Sequence, residues 1–481
     1  GVITDEYLQR GIDLARNGKL LDAVTAFEEI LHSHPDEPRA LFNVAVLYDK
    51  LGQQNKALDL LQRSIAIDRS FANPHYYLGY LYLQMGRYKE AYQSFRNTIA
   101  RDVEFTPAYE GARIAASALG LSVSDDKADV VFYTGGTTAF NGRTLEEKGL
   151  GGSESALIYV ARALAANGMK VRVFCNCDKP GEYDGICYGD LVDFHLYRQL
   201  NSFPIIISSR SLRPFKIALQ AQTRILWIHD DINVKYLEGE APNTLPIDRI
   251  FAVSRWQRNE WARYFHVKQD RFFLTRNGVD LAMFKPGVKR ERHRLVYISR
   301  PERGLDVLLK LFPMIRNRVP SAELHLYTYY SPGEKSTDEI WRHTQQPGVF
   351  IKGCLPKSSL AEEISSARLM VYPSTFRETS CIAAIEAQAS GTPVVASTLA
   401  ALPETVLDGV SCCLVPGEPG TEEFGRCFAE TVITLLDDDV SWQRLSQNAR
   451  SRSEQFYSWE GIAKEWAGEF LRIAADRNKH Y

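Results

Sequence analysis

The sequence predicts an all-α repeat solenoid followed by two α/β halves, each built on a parallel sheet, with a cleft between them. Three observations carry that expectation. The first third of the chain matches itself at an offset of 34 residues. From Asp129 on, short β-branched runs alternate with helical stretches, the order that builds parallel sheets. The alternation starts afresh after Pro286, so a second series follows the first.

Composition is that of a soluble protein: of 481 residues, 45% are hydrophobic and 24% charged, which at ~150 residues each leaves room for about three domains. A formal net charge of -2 supplies no basic field for nucleic acid. No apolar run approaches the ~20 residues that cross a bilayer. The opening GVITDEYLQR has neither the basic patch nor the apolar stretch of a leader. Eight cysteines show no paired CxxC spacing, which predicts reduced, buried thiols and a cytoplasmic location.

The repeat offset aligns Gly18, Gly52 and Gly86, and with them Ala23, Ala57 and Ala91. Gly11, Ala45 and Gly79 form a column of small residues, while Leu14, Tyr48, Tyr82 and Phe27, Leu61, Phe95 form columns of large ones. Small residues let two helices approach and large ones fill the groove, so each unit is a helical hairpin that buries its apolar side against a neighbour. The pattern resembles the tetratricopeptide repeat, in three copies from about Thr4 to Thr106 with a closing helix over Tyr109 to Leu119. That resemblance implies a peptide- or protein-binding concave face. In protein O-GlcNAc transferases a longer array feeds acceptor chains along an asparagine ladder. Here only Asn43 holds the corresponding place, with Gln9 and Tyr77 in the other units, a departure from such a ladder. Tyr76, Tyr77, Tyr80 and Tyr82 are candidate groove residues, although core packing is the usual role of repeat aromatics.

After a linker near Leu121 to Lys127, DVVFYTG (Asp129 to Gly135) reads as a buried strand. The loop after it ends in GLGGSESALIYVARAL, where Gly149, Gly151 and Gly152 precede a helix expected to be capped by Ser153; the strand KVRVF follows. Strand, glycine turn, helix, strand is half of a nucleotide-binding fold, and glycines there let backbone amides reach a phosphate. Further strands read as PIIISS, RILWIHDD, RIFAVS and RFFLTRNGVD, then RLVYISR, AELHLYTYY, VFIKG, LMVYPS and PVVAS. The last helix, Ser458 to Ala474, is rich in aromatics and is expected to cross back to the first half. The domains are placed at residues 1–120, 121–285 (completed by helix 458–475) and 286–457.

One decapeptide, RETSCIAAIE (Arg377 to Glu386), carries the clearest chemical signal. Thr379 or Ser380 is expected to cap a helix with Ile382, Ala383, Ile385 and Ala389 on its apolar side, stopped by Gly391 and Pro393. Glu378 then lies just before the helix and Glu386 about two turns inside it. Between them are exposed N-terminal amides, where an anion binds. This is the shape of a site for a sugar joined to a phosphate.

From Asp129 to Ala474 the chain resembles a GT-B glycosyltransferase of family 4, on four features: the turn Gly151, Gly152, Ser153, Glu154; the segment Asn277 to Asp280; a basic loop after the first strand of the second half; and the Glu-x7-Glu pattern of Glu378 and Glu386. The resemblance implies two Rossmann-like domains facing a cleft, and retaining transfer from a nucleotide-diphosphate sugar, UDP- or GDP-linked, without metal or other cofactor. It implies donor-binding roles for Gly151, Gly152, Arg300, Arg303, Glu378, Thr379, Ser380, Cys381 and Glu386. Arg300 and Arg303 would hold the diphosphate, Arg303 standing where the family usually has lysine; guanidinium groups keep the charge and offer forked donors. Glu378 would bind hydroxyls of the donor sugar and Glu386 the ribose diol. His229, ending the strand ILWIH, would face the scissile bond, so the catalytic pair is His229 and Glu378. Neighbouring strand residues point to opposite faces, so His229, Asp230 and Asp231 are not expected to converge on a metal.

The expected partners are a nucleotide sugar and a macromolecular acceptor, a protein or glycan brought by the repeats, with no nucleic acid and no transmembrane segment. Two other classes share these features: a nucleotide-sugar 2-epimerase, and a non-catalytic repeat scaffold with a degenerate transferase module.

Overall fold

The computed structural model describes residues 5–121, 127–329 and 335–479. The expected repeat start at Thr4, linker residues 122–126 and Tyr330 lie outside the described residues. The chain divides into a repeat unit, Gly1–Asp126 with Leu191–Asn201, and an α/β unit, Lys127–Asp190 with Ser202–Tyr481.

In the repeat unit three helical hairpins, Asp5–Arg16 with Leu20–Ser33, Pro38–Lys50 with Gln54–Ile67, and Ala72–Gln84 with Tyr88–Arg101, precede a single helix, Thr106–Ala118. The aligned glycines explain the turns. Gly18, Gly52 and Gly86 have φ of 77°, 81° and 71°, a left-handed conformation that ends a helix cheaply only for glycine. The next amide then reaches back to the carbonyls of Leu14, Tyr48 and Tyr82 at 3.0, 2.8 and 2.9 Å. Gly120, at φ 71°, continues the series and makes Thr106–Ala118 the first helix of an incomplete fourth unit.

The columns of small and large residues compensate each other. A methyl group at Gly11 would lie 2.6 Å from the Phe27 ring, and one at Gly79 would lie 2.9 Å from Phe95; where the small residue is Ala45, the large one shrinks to Leu61. Gly11→Ala is therefore expected to cost about 1–3 kcal/mol by overpacking. Gly11→Ala with Phe27→Leu is expected to recover most of it, a pair checked by urea denaturation. The tyrosines serve mostly as packing: Tyr76 meets Phe95 and Phe105 at ring distances of 5.8 and 5.0 Å, and Tyr77 donates to Asp49 at 2.7 Å. Tyr80 is exposed.

A helix from the middle of the α/β sequence, Leu191–Leu200, belongs to this unit. Its Asp193 pairs with Arg96 at 2.5 Å, its Arg198 donates to Tyr109 at 3.3 Å, and Val192 and Leu196 pack on the repeat core.

The α/β unit holds two sheets. The first half has β1 Val130–Thr134, β2 Val171–Phe174, β3 Gly181–Tyr183, β4 Ile186–Gly189, β5 Phe203–Ser209, β6 Ala221–Trp227, β7 Arg249–Ala252 and β8 Phe272–Leu274. The second has β9 Arg294–Ile298, β10 Glu323–Tyr327, β11 Val349–Ile351, β12 Leu369–Tyr372, β13 Val394–Ser397 and β14 Cys412–Val415. Strand orders are 3-4-2-1-5-6-7-8 and 11-10-9-12-13-14. Apart from the antiparallel β3–β4 hairpin the pairings are parallel. The final helix, Trp459–Asn478, capped by Ser458, packs in the core of the first sheet: Trp466 lies 4.8 Å from Trp227 and 5.0 Å from Phe251 between ring centres.

Three local expectations are corrected. Ser153 sits inside the helix Gly152–Ala166, whose N-cap is Gly151. The decapeptide helix begins only at Ile382, after Cys381 in a left-handed conformation at φ 77°, so neither Thr379 nor Ser380 caps it and Glu386 lies little more than one turn inside. The cysteines are all free, but only Cys175, Cys381 and Cys412 are buried; Cys177, Cys187 and Cys413 are half-buried, and Cys354 and Cys427 are exposed. Among the described residues, no helix is long and apolar enough to cross a membrane.

Candidate functional site

Parallel strands end together, so the loops after β1, β6, β9 and β12 gather at one edge of each sheet, where ligands of such folds bind. In the second half, Gly304 (φ 130°) makes the close approach possible: a Cβ there would stand 2.3 Å from the Pro373 carbonyl. The amide of Thr375 then donates to the Arg303 carbonyl at 3.1 Å. This draws the loop after β9 onto the loop after β12 and puts Arg303 beside Glu378.

Glu378 is buried. Its Oε1 accepts from the Tyr372 hydroxyl at 2.6 Å and from Arg303 Nη1 at 3.3 Å, while Oε2 takes no hydrogen bond among the described residues. Arg303 is braced from its other side by Phe376, 3.8 Å from the ring centre. Burial raises the carboxyl's pKa, with Arg303 and then Tyr372 working against it. As pH falls, Glu378 therefore takes up a proton earlier than a free glutamate, whose pKa is about 4.3. Turnover is expected to fall on the acid side with an inflection above that value, and Arg303→Met is expected to move the inflection higher, read from kcat against pH.

Beyond Glu378 the backbone offers donors. No described acceptor takes the amide hydrogens of Thr379, Ser380 or Cys381, and the left-handed turn at Cys381 leads directly into the helix Ile382–Ala389. Such a helix start favours an anion. Glu386, on the next turn, is buried and ion-paired with Lys357. The same two residues line a pocket with Ser155, Tyr159, Asp280 and Trp459, residues drawn from both halves.

The first half supplies the facing wall. Gly152 lies under the second half, a Cβ there falling 2.9 Å from Ile382, and Gly151 carries the Glu154 carboxylate over it, where a Cβ would be 2.3 Å from Oε2. His229 lies two residues beyond the end of β6. Its ring packs on Trp227 at 4.4 Å, its carbonyl accepts from the Thr379 hydroxyl at 2.7 Å, and its Nε2 is buried with no partner among the described residues. Burial, and secondarily Arg210, lower its pKa to about 3, so the imidazole is neutral at physiological pH. Asp230 and Asp231 turn to Arg210 and Arg377, at 2.6 and 2.9 Å. Among the described residues no group of three His, Cys, Asp or Glu side chains has metal-binding geometry.

The structure thus brings Arg303, Glu378, the amides of residues 379–381 and the His229 carbonyl together, with Glu386 on the adjoining turn. Arg300 is on the same turn as Arg303, its carbonyl accepting the Arg303 amide at 3.2 Å, but its side chain is 64% exposed and lies 4.0 Å from Glu302. Sequence reading missed Tyr372 and Lys357. Tyr372 ends an expected strand pointing to this edge, a signal that was present; nothing local marks Lys357 as the partner of a residue 29 positions on.

Residues 292–438 match the family described as Glycosyl transferases group 1, and residues 8–70 and 76–106 match tetratricopeptide repeats. Over 237 residues the chain is 29% identical to the D-inositol 3-phosphate glycosyltransferase of Corynebacterium glutamicum, covering 45% of this chain and 55% of that protein. It is 26% identical over 305 residues to the alpha-maltose-1-phosphate synthase of Mycolicibacterium smegmatis, covering 58% of this chain and 76% of that protein. The chain thus spans about half the length of the first of these curated relatives. Sucrose-phosphate synthase from Thermosynechococcus elongatus superposes with a TM-score of 0.58 at 19% identity, over 72% of this chain and 99% of that one. Anabaena HepE in complex with UDP and glucose gives 0.56 at 14% identity, over 71% and 99%. At these identities the likeness establishes the fold: the α/β unit has the GT-B architecture.

Proposed function

We propose, for a chain that carries a group 1 glycosyl transferase domain behind tetratricopeptide repeats, that it moves a sugar from a UDP- or GDP-linked donor to a macromolecular acceptor, a protein or glycan presented by the repeats. Transfer proceeds with retention and needs no metal or other cofactor, in the cytoplasm. The observation that carries this reading is the buried Glu378, with one oxygen held by Tyr372 and Arg303 and the other left for sugar hydroxyls. A diphosphate leaving group gains charge as the glycosidic bond breaks; guanidinium groups and fixed peptide dipoles stabilise it without reorganising. Arg303, with Arg300 joining it, and the amides of Thr379, Ser380 and Cys381 supply those charges. Glu386 takes the ribose diol, Gly151 and Gly152 offer backbone amides to the donor on the opposite wall, and the neutral His229 faces the reacting bond.

A thermal-shift panel of UDP- and GDP-sugars tests the reading, because a ligand bound only by the native state raises the melting midpoint. The donor that stabilises is then incubated with EDTA and a candidate acceptor. Release of nucleoside diphosphate with sugar on the acceptor is the expected result. An epimeric sugar nucleotide formed without acceptor would replace the reading by a 2-epimerase, and no nucleotide binding at all would leave a scaffold.

A further inference from the structure

We propose that Arg377 is a positioning residue for Glu378, docking the loop that carries this carboxylate onto the first half of the α/β unit so that it is aligned when the two halves are together. The proposal rests on the reading of Glu378 as a donor-sugar ligand.

Both chain neighbours of Glu378 are tied across the cleft. On one side, Arg377 Nε lies 2.9 Å from Asp231 Oδ2 and its Nη2 lies 2.8 Å from Glu260 Oε2. Its guanidinium also covers the Trp256 ring at 4.9 Å. On the other side, the Thr379 hydroxyl donates to the His229 carbonyl at 2.7 Å. Glu378 itself makes its side-chain bonds within the second half, to Tyr372 and Arg303. The carboxylate is therefore built by one half, while the loop bearing it is held by the other.

A second tie runs between the same two halves, from the short helix Leu402–Thr405. The helix Arg255–Tyr264, which carries Trp256 and Glu260, has its first amides capped from the second half: Glu404 accepts from Arg255 and Trp256 at 2.6 and 3.0 Å. A carboxylate at a helix start is favourable, so this helix is fixed to the second half at its N-terminus, and one turn on it grips Arg377. The acceptors on the first half are well covered, Asp231 at 19% and Glu260 at 16% side-chain exposure. A planar fork that binds two carboxylates and stacks on an indole is a geometry lysine cannot reproduce.

The test compares wild type, Arg377→Met, Arg377→Lys, Glu260→Gln and the double Arg377→Met, Glu260→Gln variant. Affinity for UDP and GDP is measured by calorimetry, turnover by nucleoside diphosphate release, and local opening by hydrogen exchange. Expected are nucleotide affinities within about threefold of wild type and turnover lowered about tenfold to a hundredfold in Arg377→Met, as small misplacements of a reacting group cost. Arg377→Lys should recover part of this, and the double variant should be no slower than Arg377→Met. Exchange should quicken together in segments 374–381 and 255–264. Unchanged turnover, nucleotide affinity lost in step with turnover, or exchange unaltered in both segments would each overturn the proposal. Wild type releasing no nucleoside diphosphate from any donor would refute the transferase reading instead, and the exchange result would then decide whether the docking exists.

Discussion

Glu378→Gln is expected to lower transfer about a hundredfold to a thousandfold, the scale for losing one charge-matched contact to the transition state. Glutamine keeps the shape and the acceptor for Tyr372, but it removes the charge that holds Arg303 and replaces the free oxygen by an amide NH2, which donates and no longer accepts. Nucleotide affinity should persist, because Glu386 and the helix amides are untouched. Stability is expected to stay level or rise. Burial raises the pKa of this carboxyl in the folded protein, so at neutral pH the ionised form is held against a desolvation cost, and neutralising it relieves that cost. Initial rates with the identified donor and calorimetric melting check both halves of the expectation. Full turnover in Glu378→Gln would remove this residue from the site.

Trp466→Ala is expected to be the most destabilising single change in the α/β unit, at about 3–5 kcal/mol. The indole is fully buried, its Nε1 donates to Thr275 at 2.7 Å, and Phe132, Trp227, Phe251 and Phe470 surround it. Truncation leaves a cavity and an unpartnered Thr275 hydroxyl under the sheet. Because Trp227 also packs on His229, the loss reaches the cleft, and turnover should fall in the fraction that remains folded. The melting transition of the α/β unit should drop by several degrees while that of the repeats keeps its midpoint. A shift below one degree would contradict the packing described.

The repeats were legible because a fixed period places glycine at each turn and matches ring size to groove size, both of which are written in neighbouring residues. Central strands were legible as apolar runs between helical stretches. The hairpin β3–β4 was missed although it carries a signal: Asp184 and Gly185, at φ 53° and 76°, are the Asp-Gly turn that joins two short strands. Glu378, Glu386 and Arg303 could be named from motif spacing, whereas their partners could not. Lys357 meets Glu386 from 29 positions away and Arg377 meets Asp231 and Glu260 across 146 and 117. Such pairs are set by which loops the sheets bring to one edge, and no local pattern encodes that. The helix start was misplaced for a related reason: Cys381 adopts a backbone usually left to glycine, and its buried side chain rather than its turn propensity fixes it there.

The helix Leu191–Leu200 bears on how this protein is taken apart. Because the polypeptide leaves the α/β unit after Asp190 and re-enters it at Ser202, the two units share three chain crossings instead of one. Two polypeptides divided between Leu121 and Lys127 should therefore stay together through native purification and separate only in denaturant. A deletion beginning at residue 127 would strip the apolar face of that helix of its cover, so the protein is best dissected by point substitution, with its array left in place.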